Sequence, residues 1–265
     1  MDYETLEVRQ EGPALWVTLN RPHSLNAMSR QLVLEVRTLF TELYWRRDVR
    51  VVVLTGAGRA FCAGLDLKEF AGSPTEHTVG AALDLQRSIA EIVVAMRRCP
   101  QPIIALINGA ASGGGFALAL ASDVRIATPG SRMNASFIRV GLSACDIGVS
   151  YFLPRMVGSS VAAEYLLTGR FMDPARAHQL GLVSAVVPRE QLESEGRALL
   201  ADLLNATPLG LRLTKEALNH AIDAGSLDAV IAMEDRNQVL TSRDPNFREG
   251  VSAFLEKRAP NYHQD

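Results

Sequence analysis

The 265-residue chain has 27 Lys and Arg against 29 Asp and Glu, a formal charge of −2, with 48% apolar and 21% charged side chains. This is the composition of a globular protein with a sizeable core, and it excludes a strongly basic nucleic-acid binder and a low-complexity chain. No run of eighteen apolar residues occurs, so no membrane-spanning helix is expected, and the acidic start Met1-Asp2-Tyr3-Glu4 lacks the pattern of a secretory signal.

Val8 to Leu19 reads as two short strands around the turn Glu11-Gly12-Pro13. Leu32, Val36, Leu39 and Leu43 recur at four- and three-residue steps, which is one face of a helix. Arg46, Arg47 and Arg50 after it read as a solvated helix end. The buried-strand run Val51–Thr55 leads into the small-residue turn around Ala63-Gly64. Ala71–His77 is expected to be a mobile loop. A helix over Thr78–Arg98 is stopped by Cys99-Pro100-Gln101-Pro102, and strand Ile103–Ile107 runs into a second turn, Asn108–Gly115. A helix from about Gly114 to Ala121 and a strand at Asp123–Ala127 complete a mixed α/β core. From about Pro188 onward the pattern is helical: Arg189–Asn205, Pro208–Ala224, Leu227–Thr241 and Pro245–Lys257. The expected division is therefore a core over 1–190 and a helical region over 191–265.

Cys62, Cys99 and Cys145 are odd in number and far apart, which points to reduced thiols and a cytoplasmic setting. No CxxC, HxH or HExxH pattern occurs, so no metal site is expected. Cys145 is read as a small buried filler.

The two glycine turns carry the functional signal. Small residues at the ends of buried strands let backbone approach a ligand closely, and two such turns can aim two N–H groups at one oxygen. Other readings of the second turn fail. A Walker A loop needs Lys where Phe116 stands, Gly113–Leu118 lacks the last glycine of GxGxxG, and Gly109-Ala110-Ala111-Ser112-Gly113 is not a GxSxG elbow. The paired pattern Ala60–Glu69 and Asn108–Gly115 resembles the crotonase superfamily, the enoyl-CoA hydratase/isomerase family. Asn20–Met28, Leu166–Arg170, Gly181–Val183, Leu213–Leu218 and Arg248–Arg258 resemble further family segments in the same order.

The resemblance implies a crotonase-like spiral of ββα turns with a C-terminal helical region that builds trimers, often stacked as hexamers. It implies an acyl-CoA thioester substrate and no separate cofactor, since CoA is part of the substrate. The main-chain N–H groups of Leu65 and Gly114 take the oxyanion positions. Groups around Ser24, Ala63, Asp66 and Leu67 take the CoA positions, with Lys257, from a neighbouring subunit, at a phosphate. Asp66 as a helix cap and Lys257 as a surface lysine remain open. The chain departs from the water-adding members at both acids: Ala117 and Phe137 stand where two glutamates are expected. Asp146 lies on a loop where some relatives place an aspartate. It is the candidate base for moving a proton between carbons, with a helix cap as its alternative role. A single-aspartate isomerase is the leading reading. A hydratase with other acids, a thioester hydrolase and a non-catalytic acyl-CoA binder are the others.

Overall fold

The computed structural model describes residues 3–70 and 78–262. The loop expected at 71–77 lies outside them. Strands β1 (Leu6–Glu11) and β2 (Ala14–Leu19) pair antiparallel, with Leu6 opposite Leu19. Helix α1 (Arg30–Leu43) starts where the Ser29 hydroxyl accepts a hydrogen bond from the Leu32 N–H. It buries Leu32, Val36, Leu39 and Leu43, the face that the periodicity predicts.

Strands β3 (Val51–Gly56), β5 (Ile103–Ile107), β7 (Val124–Ala127) and β9 (Ala185–Val186) follow β2 in parallel, in the order β1-β2-β3-β5-β7-β9. The central strands are continuously apolar because both faces are covered. Val52, Leu54, Ile103 and Ala105 join the larger core with α1, α3 (Val79–Arg98) and α4 (Gly114–Ala121). Val51, Val53, Ile104 and Leu106 face the other way, against Leu192 and Leu200 of α8 (Leu192–Leu204).

Three short strands, β4 (Ala60–Cys62), β6 (Ala110–Ser112) and β8 (Arg132–Asn134), form a second, parallel sheet in the order β4-β6-β8. The pairs β3–β4, β5–β6 and β7–β8 each give one strand to each sheet, which is the expected ββα spiral. Each second strand is only three residues long. No alternation is legible over that length, so periodicity could not find them.

The spiral brings the two glycine turns into backbone contact. At Gly64, φ is +95° and a Cβ would stand 2.8 Å from the Ser112 carbonyl oxygen and 3.4 Å from the Gly114 nitrogen. At Gly115 a Cβ would lie 2.1 Å from the Cys62 carbonyl oxygen. Asn108 locks the strands behind them. Its Nδ2 donates to the Gly56 carbonyl at 2.7 Å, and its Oδ1 accepts from the Gly56 N–H at 3.3 Å. Asn26 Nδ2 donates to the Ala57 and Ala60 carbonyls at 2.9 and 2.8 Å.

Helices α2 (Leu67–Phe70), α5 (Val149–Val157), α6 (Ser159–Thr168) and α7 (Pro174–Gln179) complete the spiral. After α8 come α9 (Pro208–Ala221), α10 (Leu227–Ser242) and α11 (Pro245–Glu256). Among the described residues no helix is long and apolar enough to cross a membrane, and no group of three metal-ligating side chains gathers. Cys62 and Cys99 are buried free thiols. Cys145 is exposed, which corrects its reading as a buried filler: the loop that carries it leaves its side chain at the surface.

Lys215 ties α9 to the core. It is 4% exposed, and its Nζ reaches Asp123 Oδ2 at 2.8 Å and the carbonyls of Gln101 and Met96 at 2.7 and 3.2 Å. Arg97 also holds Asp123, at 3.0 Å, so the carboxylate keeps a partner when the lysine is removed. Lys215→Met is therefore expected to cost about 2–3 kcal/mol, mainly through two buried carbonyls that lose a charged donor. The denaturation midpoint at fixed protein concentration checks this; an unchanged midpoint would contradict it.

Candidate active site

The turn after β4 leaves the Leu65 N–H, and the start of α4 leaves the Gly114 N–H, with no acceptor among the described residues. Both residues line one cavity of about 110 Å³. Gly114 is the first residue of an eight-residue helix, whose positive end adds to the attraction for an anion. The remaining wall is mostly apolar, with Met28, Ile89, Phe137 and Ile147 among its residues.

Asp146 lines the same cavity and is its only ionisable side chain among the described residues. It comes from the loop between the 3-10 turn Ser136–Val140 and α5. Its Oδ1 accepts from the Ile147 N–H at 2.8 Å and from Gln86 Nε2 of α3 at 2.6 Å. Ile147 has a φ of +36°, rarely adopted by a β-branched residue, so the loop holds a strained backbone beside the carboxylate. Burial pushes the Asp146 pKa upward, and the hydrogen bonds from Ile147 and Gln86 oppose that shift. The carboxylate does not cap α5. The N-cap is Gly148, without a side-chain bond, and Asp146 meets the helix only through its main-chain carbonyl, which accepts from the Val149 N–H at 2.9 Å. Ala117 is wholly buried in α4, and the Phe137 ring stands in the cavity wall, so neither glutamate position supplies an acid.

Ala63 and Leu67 also line the cavity. Among the described residues the Ala63 carbonyl has no donor and the Leu67 N–H has no acceptor. Asp66, Ser24 and Lys257 lie outside the lining. The Asp66 carboxylate is ion-paired with Arg21 at 2.9 Å, while its main-chain carbonyl accepts from the Glu69 and Phe70 N–H groups at the start of α2. Ser24 has its N–H donated to Arg21 and its carbonyl accepting from Ala27. Lys257 ends α11 in a left-handed conformation. Sequence reasoning missed Gln86. Its signal was present: Gln86 stands three residues before Ile89 on the α3 stripe that continues through Val93 and Met96, a polar residue on an apolar face.

Leu65 and Gly114, each with an unpartnered main-chain N–H among the described residues, and Asp146 line one apolar cleft on a parallel ββα spiral. The chain belongs to the enoyl-CoA hydratase/isomerase family, whose model matches residues 10–265. It is 39% identical over 253 residues to a Mycobacterium bovis protein named "Probable enoyl-CoA hydratase", covering 94% of this chain and 89% of the relative. It is 33% identical over 252 residues to the 1,2-epoxyphenylacetyl-CoA isomerase of Escherichia coli, covering 95% of each. The crystal structure of an enoyl-CoA hydratase from Bacillus anthracis superimposes with a TM-score of 0.92 at 33% identity, over 98% of this chain and 99% of that one.

Proposed function

We propose that this chain is an enzyme acting on acyl-CoA thioesters, and that it isomerises an enoyl-CoA by moving one proton between two carbons. The observation that carries the reading is that, among the described residues, Asp146 is the sole ionisable group in the cavity that Leu65 and Gly114 line. The thioester oxygen sits between the two N–H groups, which need no reorganisation as negative charge develops. The Asp146 carboxylate takes a proton from C2 of a 3-enoyl chain, and the electron pair enters the dienolate. The acid so formed returns the proton to C4, giving the 2-enoyl product and the original carboxylate. A pKa raised by burial suits a base that must also act as the acid. Syn addition of water needs one group to activate the water and another to handle the C2 proton; Ala117 and Phe137 supply neither, which leaves one carboxylate for two tasks. Relatives are named both as probable enoyl-CoA hydratases and as a 1,2-epoxyphenylacetyl-CoA isomerase, so the choice rests on the residues of the cavity.

The Ala63 carbonyl and Leu67 N–H, without partners among the described residues, are the groups offered to the amides and adenine of CoA. The apolar wall, with Met28, Ile89, Phe137 and Ile147 in it, favours an acyl group without charge. The free thiols support a cytoplasmic setting. Exposed Leu218, Leu227, Phe254 and Leu255 on α9 to α11 support a trimer or dimer of trimers, and only there does Lys257 reach a neighbouring site. A stable monomer in light scattering at micromolar concentration would overturn the assembly and the role of Lys257.

Incubation with 2-enoyl- and 3-enoyl-CoA substrates in deuterated water, read by mass, tests the reaction. Conversion of the 3-enoyl to the 2-enoyl isomer, separated by chromatography, without a gain of water is expected, with deuterium at C2 or C4 to the extent that Asp146 exchanges its proton with solvent before returning it. A gain of water would make the protein a hydratase, free acid and CoA would make it a hydrolase, and binding without turnover would make it a carrier.

A further inference from the structure

The two oxygens of Asp146 are not equivalent. Oδ1 receives both hydrogen bonds, from the Ile147 N–H at 2.8 Å and from Gln86 Nε2 at 2.6 Å, while Oδ2 has no donor among the described residues. The first donor is main chain and is kept by every residue except proline. The second comes from α3, sixty residues earlier, and is the only side-chain hydrogen bond that the carboxylate makes among the described residues. An oxygen that already accepts two hydrogen bonds is the weaker base of a carboxylate, because its charge is held by the donors.

We infer that Gln86 is the positioning residue of the proton transfer: it holds Oδ1 so that Oδ2 alone faces the substrate and carries the proton in both directions. This rests on the isomerase reading above. In the first step the C2–H bond breaks and Oδ2–H forms, with the electron pair entering the dienolate. In the second, Oδ2–H breaks and C4–H forms. A fixed Oδ1 keeps the carboxylate from rotating between the steps, so one atom serves both carbons.

The surroundings leave this assignment to Gln86. On α3, Asp84 and Arg87 lie beside each other at 3.9 Å. On α5, Arg155 is paired with Asp223 at 3.1 Å, and Arg139 of the 136–140 turn lies against Gly169. None of these makes an ion pair or hydrogen bond with Asp146.

The test compares Gln86→Leu and Gln86→Glu with the wild type and Asp146→Asn on one active enoyl-CoA, across pH. Removing a donor from the charged form raises the pKa of the base. Gln86→Leu is therefore expected to move the acidic limb of kcat/KM upward by about one unit, and to lower kcat about tenfold with KM within about twofold. Gln86→Glu keeps the length and sets a like charge against Asp146, so its limb is expected to move further, and it carries the test if the leucine variant does not fold. A pH profile and kcat unchanged in both variants, or a change in KM alone, would overturn the inference. If Asp146→Asn is inactive in that case, the isomerase reading stands without it. If Asp146→Asn is itself active, the reading fails and this inference with it.

Discussion

Asp146→Asn is expected to lower turnover by roughly two to four orders of magnitude, the usual range for removing a general base. The amide matches the carboxylate in size and leaves the Val149 N–H bonded to the main-chain carbonyl, so the start of α5 is undisturbed. It cannot accept a proton at neutral pH, and no other ionisable side chain among the described residues lines the cavity to replace it. In the wild type the base must be ionised, so activity should rise with pH through an Asp146 pKa that lies above the ordinary aspartate value. Stability runs the other way. A pKa raised on folding means that the folded chain holds the proton more tightly than the unfolded one. That contribution is complete below the unfolded pKa, near about 3.9, and is lost as pH rises through the folded value. The asparagine variant should therefore melt no lower than the wild type at neutral pH. Full activity of Asp146→Asn on every substrate that the wild type converts would remove Asp146 from the mechanism.

Gly114→Pro should cost on the order of a hundredfold in turnover, because it deletes one of the two amide donors. Proline is compatible with the first position of a helix, where the N–H has no intrahelical partner. It is not a clean deletion here, since a Cβ at residue 114 would stand 2.5 Å from Met28 Sδ. That contact is with a flexible side chain, and Gly114→Ala introduces it while keeping the N–H. The difference between the proline and alanine variants is therefore the value of the donor, and that difference is what should approach a hundredfold. Equal kcat values for the two variants would mean that the Gly114 amide does not touch the developing charge.

The sequence by itself determined the long elements and the chemistry of the turns. Helix α1 was legible because its apolar residues recur at helical spacing over fourteen residues, and β3 and β5 because strands buried on both faces read as unbroken apolar runs. The two glycine turns were legible because turns are local, and the resemblance of those turns to the family's is what singled out Leu65 and Gly114 as oxyanion candidates. The loss of both glutamates was legible at Ala117 and Phe137 for the same reason: it concerns identity at a motif position.

Only the tertiary structure decided what depends on contacts between distant segments. Strands β4, β6 and β8 exist because they pair with one another, and three residues carry too little pattern to announce that. The need for glycine at 64 and 115 comes from the carbonyls of Ser112 and Cys62 across the spiral, which no local rule contains. Whether Asp146 was a cap or lay in the cleft could not be read from its loop, because both roles follow a turn and precede a helix. The fold separated them by placing the first helical cap at Gly148 and bringing Gln86 of α3 to 2.6 Å from Oδ1. A carboxylate's protonation is set by what surrounds it in three dimensions, and its nearest side-chain partner here is sixty residues away along the chain.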